Sequence, residues 1–267
     1  MNSRARRRST GAGLTIALVL AIAGGASVVV RRATQPAAVP PPPVAGPPTA
    51  APPGPASSAY APPSYAVNAP QPYPVNGPGT FVVARGNGPV LGSAGPLRRY
   101  RLAVENGAPV SLAEFTMLVE ATLGDPRSWI GGRDVQLRRV PGRSDFTIYL
   151  ATPETAYRIC RAGGVDIRRA GQPYTSCRVG GQVVINLARY LTGVEGYGAP
   201  LPTYRQYAIN HEVGHALGYG HELCPGPGQP APVMQQQTLG LLGCVANAWP
   251  YLEGRRYAGP LGEVPGA

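Results

Sequence analysis

The chain has 267 residues, its 24 basic side chains are all arginine, and 13 acidic residues leave a formal net charge of +11. That length accommodates one domain with a substantial core plus extensions. Despite the basic excess, nucleic acid is set aside as a partner, because no arginine cluster is interleaved with stacking aromatics and no nucleic-acid module is visible.

Much of the charge sits at the N-terminus. Arg4, Arg6, Arg7, Arg8, Arg31 and Arg32 flank the first apolar run, and no acidic residue precedes Glu105. Residues 1–9 read as a cytoplasmic basic segment. Residues 10–30, TGAGLTIALVLAIAGGASVVV, carry no charge and are long enough to span a bilayer. Four arginines before the run and two after it place the N-terminus in the cytoplasm and export the rest. The segment is an uncleaved anchor, or a signal peptide cut near Gly24 and Ala26, whose small side chains suit a cleavage site. The main domain is extracytoplasmic either way, tethered to the cell membrane in the first case and secreted in the second. Residues 31–79 are rich in Pro and Ala and bury too little apolar surface to fold. They read as a disordered linker with polyproline II character.

The folded domain is expected over 80–267. FVVA (81–84) and RRYRLAVE (98–105) read as strands. Ser111 with Glu114 three residues on is a capping-box signature. Leu112, Phe115, Leu118 and Val119 then share one helical face, up to Gly124. DVQLRRV (134–140) and DFTIYLA (145–151) read as paired strands joined at Pro141-Gly142. Phe146, Ile148 and Leu150 alternate with Thr147 and Tyr149, the pattern of a half-buried strand. Thr152-Pro153 opens a short helix that runs to about Ala162. YTSCRV (174–179) and QVVINLA (182–188) follow as strands around Gly180-Gly181.

A helix near 204–218 comes next, with Thr203 and Gln206 as its expected cap. It contains the start of HEVGHALGYGH (211–221), which holds all three histidines of the chain. Ile209, Val213 and Ala216 face the core, while Tyr204, Tyr207, His211 and His215 face a cleft. His211 and His215, four apart, lie one turn above each other on that face. Glu212 lies about 100° further round, able to reach a water on a metal. Gly218 accepts positive φ and stops the helix, so His221 returns as a third ligand. Three imidazoles predict a catalytic Zn²⁺ with one open position and Glu212 as general base. Tyr204, Tyr207 and Tyr219 are candidates for a second oxyanion donor.

Beyond His221 the prolines from Pro225 to Pro232 force an irregular loop, with a short helix expected at Leu239–Leu242. Four cysteines in an exported domain favour two disulfides. The local pairing, Cys160–Cys177 and Cys224–Cys244, is the expected one among three connectivities. The second bridge closes the loop around Met234.

HEVGHALGYGH followed by Met234 resembles the metzincin zinc metalloproteases. The resemblance implies a metzincin-like α+β zincin: a small mixed β-sheet, an active-site helix and an irregular C-terminal subdomain. It also implies a methionine turn at Met234, and a sheet-edge strand at 174–179 that pairs with an extended substrate. HEVGHALGYGHELCPG with APVMQQQT also resembles a family of exported actinobacterial proteins carrying a domain of unknown function, over roughly residues 80–253. Glu222 after the third histidine resembles the astacins. Their tyrosine two residues past the turn methionine is Gln236 here, and their N-terminal partner for that glutamate has no counterpart near it.

The expected function is a monomeric zinc endopeptidase acting on protein or peptide substrates in the cell envelope. A zinc-containing binding module without activity, and a zinc amidase acting on cell-wall peptides, remain as alternatives.

Overall fold

A computed structural model describes residues 73–265. The basic segment, the apolar run at 10–30 and nearly all of the linker lie outside the described residues. Among the described residues no helix is long and apolar enough to cross a membrane.

The centre is a mixed seven-stranded sheet in an α+β fold. Its strands are β1 (Phe81–Val83), β2 (Val90–Leu91), β3 (Leu97–Glu105), β4 (Gln136–Arg139), β5 (Phe146–Ala151), β8 (Cys177–Val179) and β9 (Gln182–Asn186). They run in the order β2-β4-β3-β5-β9-β8, with β1 also on β3. A separate hairpin joins β6 (Arg168–Arg169) to β7 (Gln172–Pro173).

The hairpin expected at Pro141-Gly142 does not form. Both β4 and β5 run parallel to β3, on opposite sides of it. β4 pairs along Leu97–Tyr100 and β5 along Tyr100–Val104, so the linking loop crosses from one side of β3 to the other. Backbone bonds from Val140 N–H to Tyr100 O and from Asp145 N–H to Arg99 O, each 2.8 Å, fasten that crossing. β5 is also not half-buried. Thr147 is buried beside Ile148 and Leu150, because a central strand between two helical layers is covered on both faces.

Helices α1 (Leu112–Gly124) and α4 (Leu201–Ala216) pack on one face, against Ile148, Leu150, Val183 and Ile185. Helix α2 (Pro153–Ala162) packs on the other, where Ala156 and Cys160 meet Val184 and Val179. The alternation along β9 divides the two cores. Ser111 caps α1 by accepting the Glu114 N–H at 3.1 Å. Short helix α3 (Leu187–Thr192) begins where β9 was expected to continue through Ala188, with Asn186 as its cap.

The chain is fastened earlier than the composition suggests. Residues 73–79, assigned to the linker from composition, already touch the domain. Val75 O accepts the Glu154 N–H at 3.1 Å. Buried Glu105 accepts from Gly79 N–H, Thr152 N–H and the Thr155 hydroxyl at 2.7–2.8 Å.

Disulfides join Cys160 to Cys177 and Cys224 to Cys244. The first ties α2 to β8, and the second closes the proline-rich loop. Residues 239–242 are turn and irregular chain, not the expected helix. A last hairpin joins β10 (Tyr251–Leu252) to β11 (Arg255–Arg256).

Candidate metal centre

Helix α4 starts at Leu201 behind Pro200, three residues before the expected start, and Thr203 lies in its first turn without capping it. From Tyr207 to Gly214 it is buried all round. Ile209 and Val213 are enclosed by the core as expected, and Tyr204 and Tyr207 are enclosed as well. Their hydroxyls are engaged by the segment after the loop. Tyr204 shares a hydrogen bond with Thr238 Oγ1 at 2.9 Å, and Tyr207 donates to Gln235 O at 3.1 Å. Tyr207 lines the cleft as expected, and Tyr204 does not. Tyr219 lines it, stacked on Trp129 at 4.3 Å.

The end of α4 delivers His221. Gly218 sits at φ +101°, a conformation that costs glycine little. Tyr219 N–H donates to Gly214 O and Gly218 N–H to His215 O, the pair of bonds that closes a Schellman cap. The chain reverses and brings His221 back beside the helix.

The three imidazoles meet at their Nε2 atoms. His215 Nε2 lies 3.2 Å from His211 Nε2 and 3.0 Å from His221 Nε2. The opposite nitrogen of each ring settles which atom carries the proton. His211 Nδ1 lies 2.9 Å from Val233 O, and His215 Nδ1 lies 2.9 Å from Tyr219 O. A carbonyl oxygen only accepts, so both Nδ1 atoms hold protons. His221 Nδ1 lies 2.7 and 2.8 Å from the two Glu263 oxygens, and an ionised carboxylate also only accepts. In its neutral form each ring thus turns its Nε2 lone pair towards the same point. Three nitrogens held tetrahedrally at 2.0–2.1 Å from one ion stand about 3.3 Å apart, close to the two spacings from His215. His211, His215 and His221 could hold a metal ion.

Electrostatics favour the neutral form of His211 and His215. Burial, then the cost of sharing a positive charge with the adjacent His215 and His221 rings, holds the His211 imidazole well below its usual pKa. Burial lowers His215 as well. Both stay unprotonated, the form that ligates.

Glu212 lines the same cleft, which has a volume of about 490 Å³. It is 5% exposed, and its Oε2 has no hydrogen-bond partner among the described residues. Burial pushes its carboxyl up to about 8. A positive charge at the triad acts in the opposite sense.

Met234 lies beneath the helix. Pro232 O accepts the Gln235 N–H at 2.9 Å, so residues 232–235 form a turn with Met234 at its bend. This turn serves two histidines: Val233 O orients His211, and Met234 O accepts the N–H of Glu222, next to His221. Buried Asn210 holds the other side, accepting from the Ser128 hydroxyl at 2.8 Å and donating to Ala248 O at 2.9 Å.

The opposite wall of the cleft includes β8, at the edge of the sheet, with Thr175 and Ser176 before it. Asp166 and Arg168, from the start of the β6–β7 hairpin, add to that wall. Three groups escaped the sequence reading. Glu263 holds His221, Arg256 holds Glu222 at 2.7 Å, and Gln236 accepts the Val264 N–H at 3.1 Å. Each joins positions 28 to 42 apart, and no local pattern marks such pairs.

Residues 67–243 match the family whose description is "Protein of unknown function (DUF3152)". No curated protein and no solved structure matches the chain.

Proposed function

The chain belongs to the DUF3152 family, whose description states no activity, and from that premise we propose that it is an extracytoplasmic zinc-dependent endopeptidase of metzincin type. The observation that carries the reading is the meeting of three Nε2 atoms beside a buried carboxyl with an unpartnered oxygen.

His211, His215 and His221 would hold the ion. An all-nitrogen set with room for a fourth ligand suits Zn²⁺, and a purely structural site is normally closed by four protein ligands. When bound, zinc lowers the pKa of a coordinated water to about 7 and polarises a carbonyl. Glu212 takes the proton of the attacking water and returns it to the leaving amine. Its burial suits a carboxyl that must hold a proton in mid-reaction. The outer edge of β8 offers backbone groups to an extended peptide, which gives affinity with little sequence choice. Tyr219 is the one candidate oxyanion donor that lines the cleft without a hydroxyl bond to the 235–238 segment. The uncharged run at 10–30 supports export, with the domain tethered or released outside the membrane.

The alternative of a zinc-holding binding module draws on Gln236, whose side chain is occupied by the tail. An unpaired buried Glu212 weighs against it, since an orphaned buried polar group costs about 1–3 kcal/mol and needs a reason to persist. The test is zinc content and cleavage of a denatured-protein mixture by the full-length chain and its Glu212→Gln variant. One zinc in each, with cleavage reduced at least about 100-fold in the variant, is the expected result. A variant that cleaves as well as the parent sinks the general-base assignment.

A further inference from the structure

His221 lies outside the helix that fixes the other two histidines, so its ring needs a separate support. The C-terminal tail supplies one. Leu223 N–H donates to Pro260 O at 2.7 Å, and Gly262 N–H donates to His221 O at 3.2 Å. Val264 is buried, and its N–H donates to Gln236 Oε1 at 3.1 Å. Further back, the carboxylate of Glu222 accepts from Arg256 at 2.7 Å. Glu263 is therefore anchored on both sides, although its own side chain is 65% exposed. From there both carboxylate oxygens reach His221 Nδ1, at 2.7 and 2.8 Å.

We propose that Glu263 is a positioning residue for the metal site: it grips His221 Nδ1–H so that Nε2 faces the ion, and the C-terminal tail is a built part of the centre. This rests on the reading that the triad binds a metal. A charged acceptor holds an N–H more strongly than a backbone carbonyl does, fixes the tautomer and makes the ring a better donor to the metal. His211 and His215 have carbonyls for this purpose, and His221 alone has a carboxylate. Residue 263 lies beyond the matched span 67–243, so family membership does not supply the contact. The exposure of the side chain separates this role from a structural one, because an exposed carboxylate contributes little to folding.

Zinc affinity of the full-length chain, measured by competition with a chromophoric chelator, tests the proposal. Glu263→Ala should weaken zinc binding about 10- to 100-fold. Its thermal midpoint without metal should be unchanged. Glu263→Gln, whose amide oxygen can still accept the Nδ1–H, should recover part of the loss. In a His221→Ala background the Glu263→Ala change should have no further effect. The cobalt-substituted Glu263→Ala protein should show an altered visible absorption band. Zinc affinity equal to wild type in Glu263→Ala overturns the proposal, and so does a loss that persists undiminished without His221. A wild-type chain that takes up no zinc overturns both this inference and the reading beneath it. Tight zinc binding with the expected losses but no peptide cleavage supports this inference and removes only the hydrolytic one.

Discussion

Gly214 of α4 lies directly against Met234. A Cβ at position 214 would collide with the Met234 sulfur, and would stand 2.6 Å from Trp129 Cζ2. The glycine between Glu212 and His215 thus lets the methionine turn press against the helix that carries two histidines.

Replacing a helical glycine with alanine ordinarily stabilises a protein by up to about 1 kcal/mol. Here the sign should reverse. Gly214→Ala is expected to cost about 1–3 kcal/mol, because Met234 and Trp129 are both buried and would have to shift within a packed core. Thermal unfolding of the metal-free chain reads the loss directly. An unchanged or raised midpoint would place the turn elsewhere.

Metal removal should be visible as lost stability. With free zinc at 100 times its dissociation constant, a site present only in the folded state adds about 2.7 kcal/mol. For a domain of this size that corresponds to a midpoint shift of roughly 5–10 °C. Chelation should abolish the shift and zinc should restore it. His215→Ala, which removes the central Nε2, should show no shift at any zinc concentration tested.

The disulfide between Cys160 and Cys177 links α2 to the strand that forms one wall of the cleft. Replacing both cysteines with serine should cost about 3 kcal/mol by loop entropy for a closure of this length. Amide exchange should quicken most in Cys177–Val179. Uniform quickening across the sheet would assign the bridge no local role.

Asp166, at the cleft rim, is held by the Arg168 guanidinium, which lowers its carboxyl to about 2. Its folded pKa is depressed, so any stability it contributes is present above the unfolded value near 3.8 and is lost as pH falls towards 2. Carbon-detected titration of the carboxyl should show a midpoint near 2 in wild type. In Arg168→Gln that midpoint should return towards 3.8. The carboxyl is open to solvent, so added salt should also raise the midpoint.

Two sequence readings failed for one physical reason. Pro141-Gly142 looked like a hairpin turn because the flanking strands are close in sequence. Their real partner is β3, which lies between them. The alternation of Phe146, Ile148 and Leu150 with Thr147 suggested one solvated face, yet α2 and its neighbours cover that side. Strand pairing and second-face burial depend on elements far along the chain, and a window of ten residues carries no record of them.

What the sequence by itself determined is whatever depends on local geometry. The spacing of His211, His215, Gly218 and His221 follows from the helical period and one glycine's φ, and it sufficed to bring three imidazoles together. The short separations of the four cysteines sufficed for both disulfides. Only the tertiary structure decided which groups face two of those imidazoles from behind. Val233 O behind His211 and Glu263 behind His221 come from distant segments, whereas Tyr219 O behind His215 belongs to the same local turn. Hydrogen-bond partners are set by distances of 3 Å between segments up to 42 residues apart, and packing alone brings such segments into register.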